Sequence, residues 1–225
     1  MRAISLDLDD TLWPIAPTLA HAERTLENWL AEHAPLSLPV YQNAIWLQSQ
    51  RDAIQAEFAH ALHDLSAMRT ELMARVLEHA GYPRALAAAA FGVFFQARQH
   101  IELFEDARPA LERLAKAYPL IALSNGNADV ARLDIGPLFH SAVSAQSFGV
   151  AKPDPTIFLH TAKTLGLEVH EVLHVGDDAH TDVEGARRAG MQALWLNREG
   201  LPWPHSSPEP ARVQGLAALC ELLGV

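Results

Sequence analysis

Four short, largely apolar runs constrain this chain more than anything else in it: Ala3-Ile4-Ser5-Leu6, Leu120-Ile121-Ala122-Leu123, Val172-Leu173-His174-Val175 and Ala193-Leu194-Trp195-Leu196. Each ends abruptly in acids, a polar turn or a glycine. Runs of this kind read as strands buried on both faces, as in a parallel sheet. A weaker run, Ala142-Val143, adds a fifth. Helical patterns follow the runs. Asp154-Pro155 reads as N-cap and first helical residue of a helix carrying Ile157, Phe158, Ala162 and Leu165, which stops near Gly166. Another helix is expected from about Asp178 to Ala189, with Gly190 just past its end. Strands alternating with helices predict an α/β fold built on a Rossmann-like parallel sheet.

Between Pro17 and His100 the texture changes. Leu19, Ala22, Leu26, Trp29 and Leu30 recur at helical spacing, as do Leu65, Met68, Leu72, Val76 and Ala80 ahead of Gly81. Two more helical segments are expected around Ile45 to Phe58 and Leu86 to Ala97. The reading is an inserted α-helical, four-helix-bundle-like domain over residues 17–100, with residues 1–16 and 101–225 forming the α/β core. The peptide Pro202-Trp203-Pro204-His205-Ser206-Ser207-Pro208 reads as a surface loop ahead of a short helix near Gly215 to Leu223.

Bulk properties exclude several functions. With 225 residues and 49% hydrophobic content the chain has enough apolar surface for a real core. A net charge of -10 argues against nucleic acid as a partner, since phosphate neutralisation needs clustered Lys and Arg. No apolar run has the length of a membrane span, and the first residues carry no signal-peptide pattern, so a cytoplasmic protein is expected. Cys220 is the one cysteine, which rules out an intramolecular disulfide or a cysteine-based zinc site.

The strand ends carry the chemistry. Ligands of open parallel sheets bind beyond the carboxyl ends of the strands. There the first run meets Asp7-Leu8-Asp9-Asp10-Thr11, the second Ser124-Asn125-Gly126-Asn127, and the third Gly176-Asp177-Asp178 with Asp182 following. Lys152, one of three lysines, lies just before the Asp154 helix. This set suits phosphoryl transfer. Asp7 is placed to be a nucleophile giving an aspartyl-phosphate, and Asp9 to protonate the leaving oxygen and then deprotonate water. Two carboxylates facing a phosphate need a cation, and Mg2+ held through Asp7 and Asp177 fits that need. Ser124 and Lys152 are expected to hold phosphate oxygens.

In order, and over essentially the whole chain, these four segments resemble the haloacid dehalogenase-like hydrolase superfamily. Its first motif, Asp-x-Asp-x-Thr after an apolar strand, is matched by Asp7, Asp9 and Thr11; the second by Ser124 with Asn125; the third by Lys152-Pro153; the fourth by Gly176-Asp177-Asp178 and Asp182. The resemblance implies that Asp7, Asp9, Ser124 and Lys152 are catalytic, and that Thr11, Ser124, Asn125 and Lys152 bind phosphate. It implies Mg2+ as cofactor, with the backbone carbonyl of Asp9 as a further ligand and Asp178 or Asp182 supporting the metal shell. The helical insertion then looks like the family's cap domain.

Several activities compete. The presence of Asp9 favours phosphate esters over haloacid dehalogenation. The absence of any lysine between Asp10 and Lys116 removes a Schiff-base phosphonatase. A sugar phosphomutase remains an alternative, as does a receiver-like phosphate-binding module, although the latter lacks a helical insertion after its first strand. The expected partner is a small-molecule phosphate ester. The peptides around Asn125, Asp177 and Gly190-Met191-Gln192-Ala193 resemble a branch acting on FMN or on the phosphorylated ribitylaminouracil intermediate of riboflavin synthesis. His60 and His63, three apart, are weighed as a metal pair and lack a third ligand; Trp29, Trp46, Phe94 and Phe95 are expected in the helical core, and Arg24, Arg51, Arg69 and Arg98 in solvent.

Overall fold

The computed structural model describes all 225 residues, and the chain divides into two compact units, Met1–Pro14 with Glu102–Val225, and Ile15–Ile101. The first strand, β1 (Ala3–Leu6), is wholly buried and leads through the Asp7–Thr11 turn to the helical unit.

The helical unit holds α1 (Ile15–His33), the short α2 (Leu38–Tyr41), α3 (Ala44–Glu57), α4 (Leu65–His79) and α5 (Ala87–Arg98). Thr18, Ala22, Leu26 and Leu30 recur every fourth residue along α1 and form its buried stripe. Ala22, Leu26 and Leu30 share one core with Leu72, Met73, Val76 and Leu77 of α4 and Phe94 of α5. Caps fix where the helices begin: Asn43 accepts from the Trp46 N–H at 3.1 Å and Asp64 from the Ala67 N–H at 2.9 Å. Gly81, at φ +82°, supplies the left-handed residue that ends α4. Phe94 belongs to the core as expected, with the Arg69 guanidinium 3.8 Å from its ring centre. Arg98 departs from expectation. It falls four residues after Phe94 on the same face of an almost entirely apolar helix, and is only 1% exposed. His60 and His63 lie in the turns between α3 and α4, so they do not share a helix face.

The α/β unit continues with α6 (Ala107–Ala117), β2 (Leu120–Ser124), β3 (Ser141–Ser144), α7 (Ala145–Phe148), α8 (Pro155–Thr164), β4 (Val172–Gly176), a π-helical turn (Ala179–Glu184), α9 (Gly185–Arg188), β5 (Gln192–Leu196), β6 (Ala211–Val213) and α10 (Leu216–Leu223). All strand pairs are parallel, in the order β3-β2-β1-β4-β5-β6, so the α/β expectation holds. One side chain set of the central strands, including Ala3, Ile121, Leu123 and Val172, packs on Ile157, Phe158 and Ala162 of α8 and Ala186 of α9. α6 and α10 pack together, with Leu111, Leu114, Leu216, Leu219 and Cys220 fully buried. α8 begins as its sequence predicts: the Asp154 side chain accepts from the Thr156 N–H at 2.8 Å, and Pro155 opens the helix. No helix is long and apolar enough to cross a membrane.

Two elements differ from the sequence reading. β6 extends the sheet by one edge strand, and the helix expected from Asp178 begins as a π-helical turn before α9.

Candidate active site

β1 pairs with β2 on one side and β4 on the other, so the strand order reverses direction at β1 and opens a crevice at its carboxyl end. Asp7 is the first residue past β1. Its N–H donates to the Val175 carbonyl at 2.9 Å, which carries the β1–β4 pairing one step further and fixes the backbone behind the carboxylate. Asp177 follows β4 directly.

Lys152 comes from the segment between α7 and α8 and is 4% exposed. Its ammonium donates three bonds, to Asp7 Oδ1 at 2.5 Å, Asp182 Oδ1 at 2.6 Å and the Leu123 carbonyl at 3.0 Å, which uses all its donors. Asn125 grips the backbone of the same residue from both sides. Its Oδ1 accepts from the Lys152 N–H at 2.8 Å, and its amide donates to the Lys152 carbonyl at 2.9 Å. Both ends of the amide therefore hold the lysine in place. Thr11 is fully buried; its hydroxyl lies 2.9 Å from Asp177 Oδ1 and 3.4 Å from Asp7 Oδ2, so it stands between the two acids.

The loop after Asp7 is a tight turn. Asp10 adopts φ 59°, in the left-handed region that an aspartate tolerates better than most residues, and its N–H donates to the Trp13 carbonyl at 2.7 Å. The Trp13 indole donates to Asp9 Oδ1 at 2.8 Å. Ser124 stands at the end of β2, one strand over from Asp7, with its hydroxyl accepting from the Gly126 N–H at 2.9 Å. The Asp178 carboxylate accepts from the His180 and Thr181 N–H groups at 2.8 and 2.6 Å, which makes it the N-cap of the π-helical turn. Asp7, Thr11, Lys152, Asp177 and Asp182 thus form one contact cluster. Asn125 and Asp178 adjoin it through backbone groups.

Three holders of this cluster escape a reading of the sequence alone. The Trp195 indole donates to the Asp177 carbonyl at 2.7 Å. Arg198 donates to the Thr11 carbonyl at 3.0 Å, pairs with Asp106 at 3.1 Å and lies 3.9 Å from the centre of the Phe104 ring. His174, in the middle of β4, reaches Asp182. Only His174 carries a visible signal, as a polar residue inside an apolar strand.

The charges define what the site can hold. Burial favours the neutral lysine, yet Asp182 and then Asp7 outweigh it and hold Lys152 charged, above the ordinary lysine range. Burial likewise opposes ionisation of Asp182, but Lys152 and the His174 hydrogen bond hold its carboxyl below the usual range. Asp7 goes the other way: burial, together with Asp182 and Asp177, raises it despite Lys152. Burial, then Asp182, pushes Asp177 up to about 7. One ammonium therefore faces three carboxylates. Carboxylate oxygens of Asp7, Asp177 and Asp182 come within 4.8 Å of one another, an all-oxygen donor set that suits a hard divalent cation. Both Asp182 oxygens already accept hydrogen bonds, Oδ1 from Lys152 and His174 and Oδ2 from the Asp178 N–H at 3.0 Å, so Asp7 and Asp177 are the better ligands.

The sequence matches the haloacid dehalogenase-like hydrolases over residues 1–190, and the chain belongs to that family. It is therefore a hydrolase. Among its relatives is the 5-amino-6-(5-phospho-D-ribitylamino)uracil phosphatase YigB of Escherichia coli K12, 34% identical over 203 residues that make up 88% of this chain and 84% of that protein. The glyceraldehyde 3-phosphate phosphatase of Methanopyrus kandleri is 28% identical, over 88% of this chain and 84% of its own. A crystal structure described as a 2-haloacid dehalogenase of Pseudomonas syringae pv. Tomato DC3000 superposes with a TM-score of 0.93 at 36% identity, covering 100% of this chain and 98% of that one.

Proposed function

We propose that this chain is a Mg2+-dependent phosphatase that hydrolyses a small-molecule phosphate monoester through an aspartyl-phosphate on Asp7. The observation that carries the reading is the pair of differently held acids on one short turn. Asp7 is buried against Lys152, while Asp9, two residues on and only partly buried, is steadied by the Trp13 indole.

In this reading an Asp7 oxygen attacks phosphorus, and the bond from phosphorus to the leaving oxygen breaks. The Asp9 carboxyl donates its proton to that oxygen. Asp9, now a carboxylate, takes a proton from the water that attacks the phosphorus. The acyl phosphate bond opens, and Asp7 returns with release of inorganic phosphate. Lys152 and Ser124 hold phosphoryl oxygens as charge accumulates on them. Bound between Asp7 and Asp177, with the Asp9 carbonyl as a third ligand, Mg2+ would offset the excess of carboxylates and allow a phosphate to approach. Thr11, Asn125 and Asp178 act on the loops that carry these groups. The helical unit takes the part of the family's cap domain.

For substrate we favour a phosphate on the primary alcohol of a ribityl chain, as in FMN or the phosphorylated ribitylaminouracil. The relation to the Escherichia coli enzyme supports this choice. A second reading, displacement of halide from a 2-haloacid by the same Asp7, is favoured by the 36% identity to the Pseudomonas structure. Asp9 weighs against it, since that displacement has no leaving oxygen to protonate.

The test is a panel of phosphate esters and 2-chloropropionate, with Mg2+ and with chelator, on wild type and Asp7→Asn. Phosphate release that needs Mg2+ and falls by about a thousandfold or more in Asp7→Asn is expected. Full activity in Asp7→Asn, or chloride release without phosphate release, overturns the proposal.

A further inference from the structure

β4 reads Val172-Leu173-His174-Val175-Gly176, and His174 is as buried as its apolar neighbours, at 1% exposure. An imidazole in such a place destabilises the fold unless both nitrogens find partners. Both do. Nδ1 lies 3.0 Å from the hydroxyl of Ser5, its register partner on β1 and itself fully buried. Nε2 lies 3.1 Å from Asp182 Oδ1, and the Phe158 ring meets the imidazole edge-on at 5.2 Å.

The partners settle the proton. A carboxylate only accepts, so Nε2 carries the hydrogen toward Asp182. With the hydrogen on Nε2, Nδ1 is left to accept from the Ser5 hydroxyl. The result is a single file of buried groups, Ser5 to His174 to Asp182 to Lys152 to Asp7.

We propose that His174 is a positioning residue for the reaction, acting through Asp182 to keep Lys152 aimed at the oxygen of Asp7 that becomes phosphorylated. This rests on the proposed role of Asp7. The need arises during the reaction itself. Once Asp7 forms its bond to phosphorus it loses its charge, and its hold on the ammonium weakens. Lys152 must then stay in place for the phosphoryl oxygens through Asp182 and the Leu123 carbonyl. The Asp182 oxygen that anchors it is the one His174 also bonds. Without that bond the carboxylate is steadied by the Asp178 N–H and by the lysine it is meant to steady. An apolar side chain in its place frees the carboxylate to turn and the lysine to follow it.

The experiment compares His174→Gln, His174→Leu and the double variant Ser5→Ala with His174→Leu, all as full-length protein. Glutamine keeps an N–H donor for Asp182; leucine does not. In the single leucine variant the Ser5 hydroxyl is left without its acceptor, and the double variant removes that stability defect without restoring a donor to Asp182. We expect kcat in both leucine variants to fall about tenfold to a hundredfold at little changed KM. We expect the double variant to recover thermal stability and none of the rate, and His174→Gln to recover most of the rate. Rates that track melting temperature across the series, or wild-type kcat in His174→Leu, overturn the proposal. Imidazole 15N shifts, assigned by difference from His174→Leu, give a readout that needs no turnover. A neutral ring protonated at Nε2 is expected, and a ring protonated at Nδ1 overturns the proposal. Should wild type release chloride and no phosphate, the phosphatase reading fails alone, and the same series is read on chloride release.

Discussion

The Trp13 indole donates to Asp9 Oδ1 at 2.8 Å, although Trp13 is fully buried and Asp9 reaches toward solvent. A core residue four positions away thereby sets the direction of the carboxyl group assigned to proton transfer, and the Asp10 N–H to Trp13 carbonyl bond closes the turn between them. A proton-transfer group must lie within hydrogen-bond reach of the atom it serves, so its aim matters as much as its acidity.

Trp13→Phe keeps an aromatic ring in the core, removes the N–H and leaves a small cavity where the larger indole was buried. We expect a loss of about 2–4 kcal/mol in stability, from the lost hydrogen bond together with the cavity, and a fall in kcat of about tenfold. Phenyl phosphates with good leaving groups should show a smaller defect, because they need less protonation. A defect of equal size for good and poor leaving groups would show that the indole does not act through Asp9.

Gly176 offers a second test, of the space around Asp182. A Cβ at this position would run into the Asp182 carboxylate, so the close approach of β4 to the π-helical turn requires a glycine here for its lack of a side chain. Its φ is unexceptional, and backbone strain plays no part. Gly176→Ala must push Asp182 away from Lys152 and His174. We expect about 1–3 kcal/mol of destabilisation, typical of overpacking, together with a loss of rate larger than that destabilisation alone explains. Wild-type kcat in a folded Gly176→Ala protein would mean that Asp182 has room to retreat and that the lysine does not depend on its position.

What could be read in advance follows from the lengths and partners involved. β1, β2 and β4 are legible because both their faces are buried, which makes them largely apolar, and β5 because its last three residues are; each run gives way to residues of different chemistry. β6 is not legible: Ala211, Arg212 and Val213 form a three-residue edge strand in which only Val213 is buried, too short to show a period. The π-helical turn at Ala179–Glu184 escapes because its residues would suit an α-helix equally well. At the site, the identity of Asp7, Lys152 and Asp177 is visible in sequence, but who holds them is not. Asn125 clamping the Lys152 backbone, Trp195 on the Asp177 carbonyl and Arg198 on the Thr11 carbonyl are contacts across 18 to 187 positions that no local pattern encodes.

Burial, then Asp182, pushes the Asp177 carboxyl up to about 7 in the metal-free protein, while in the unfolded chain it titrates near about 4. Between those values the folded state holds a proton that the unfolded state has released. Stability from this group is therefore greatest at low pH, falls as pH rises through about 4 to about 7, and is level above that. A divalent cation binds the carboxylate form and reverses the penalty, so the rise in melting temperature caused by Mg2+ should grow across the same window. Thermal unfolding at about pH 5 and about pH 8, with chelator and with saturating Mg2+, measures the effect. Asp177→Asn should unfold at a higher temperature than wild type at the upper pH in chelator, and should lose most of the Mg2+ response at both. An equal Mg2+ response at both pH values in wild type would show that the cation does not engage the Asp177 carboxylate. An undiminished response in Asp177→Asn would move the site away from the carboxyl end of β4 altogether.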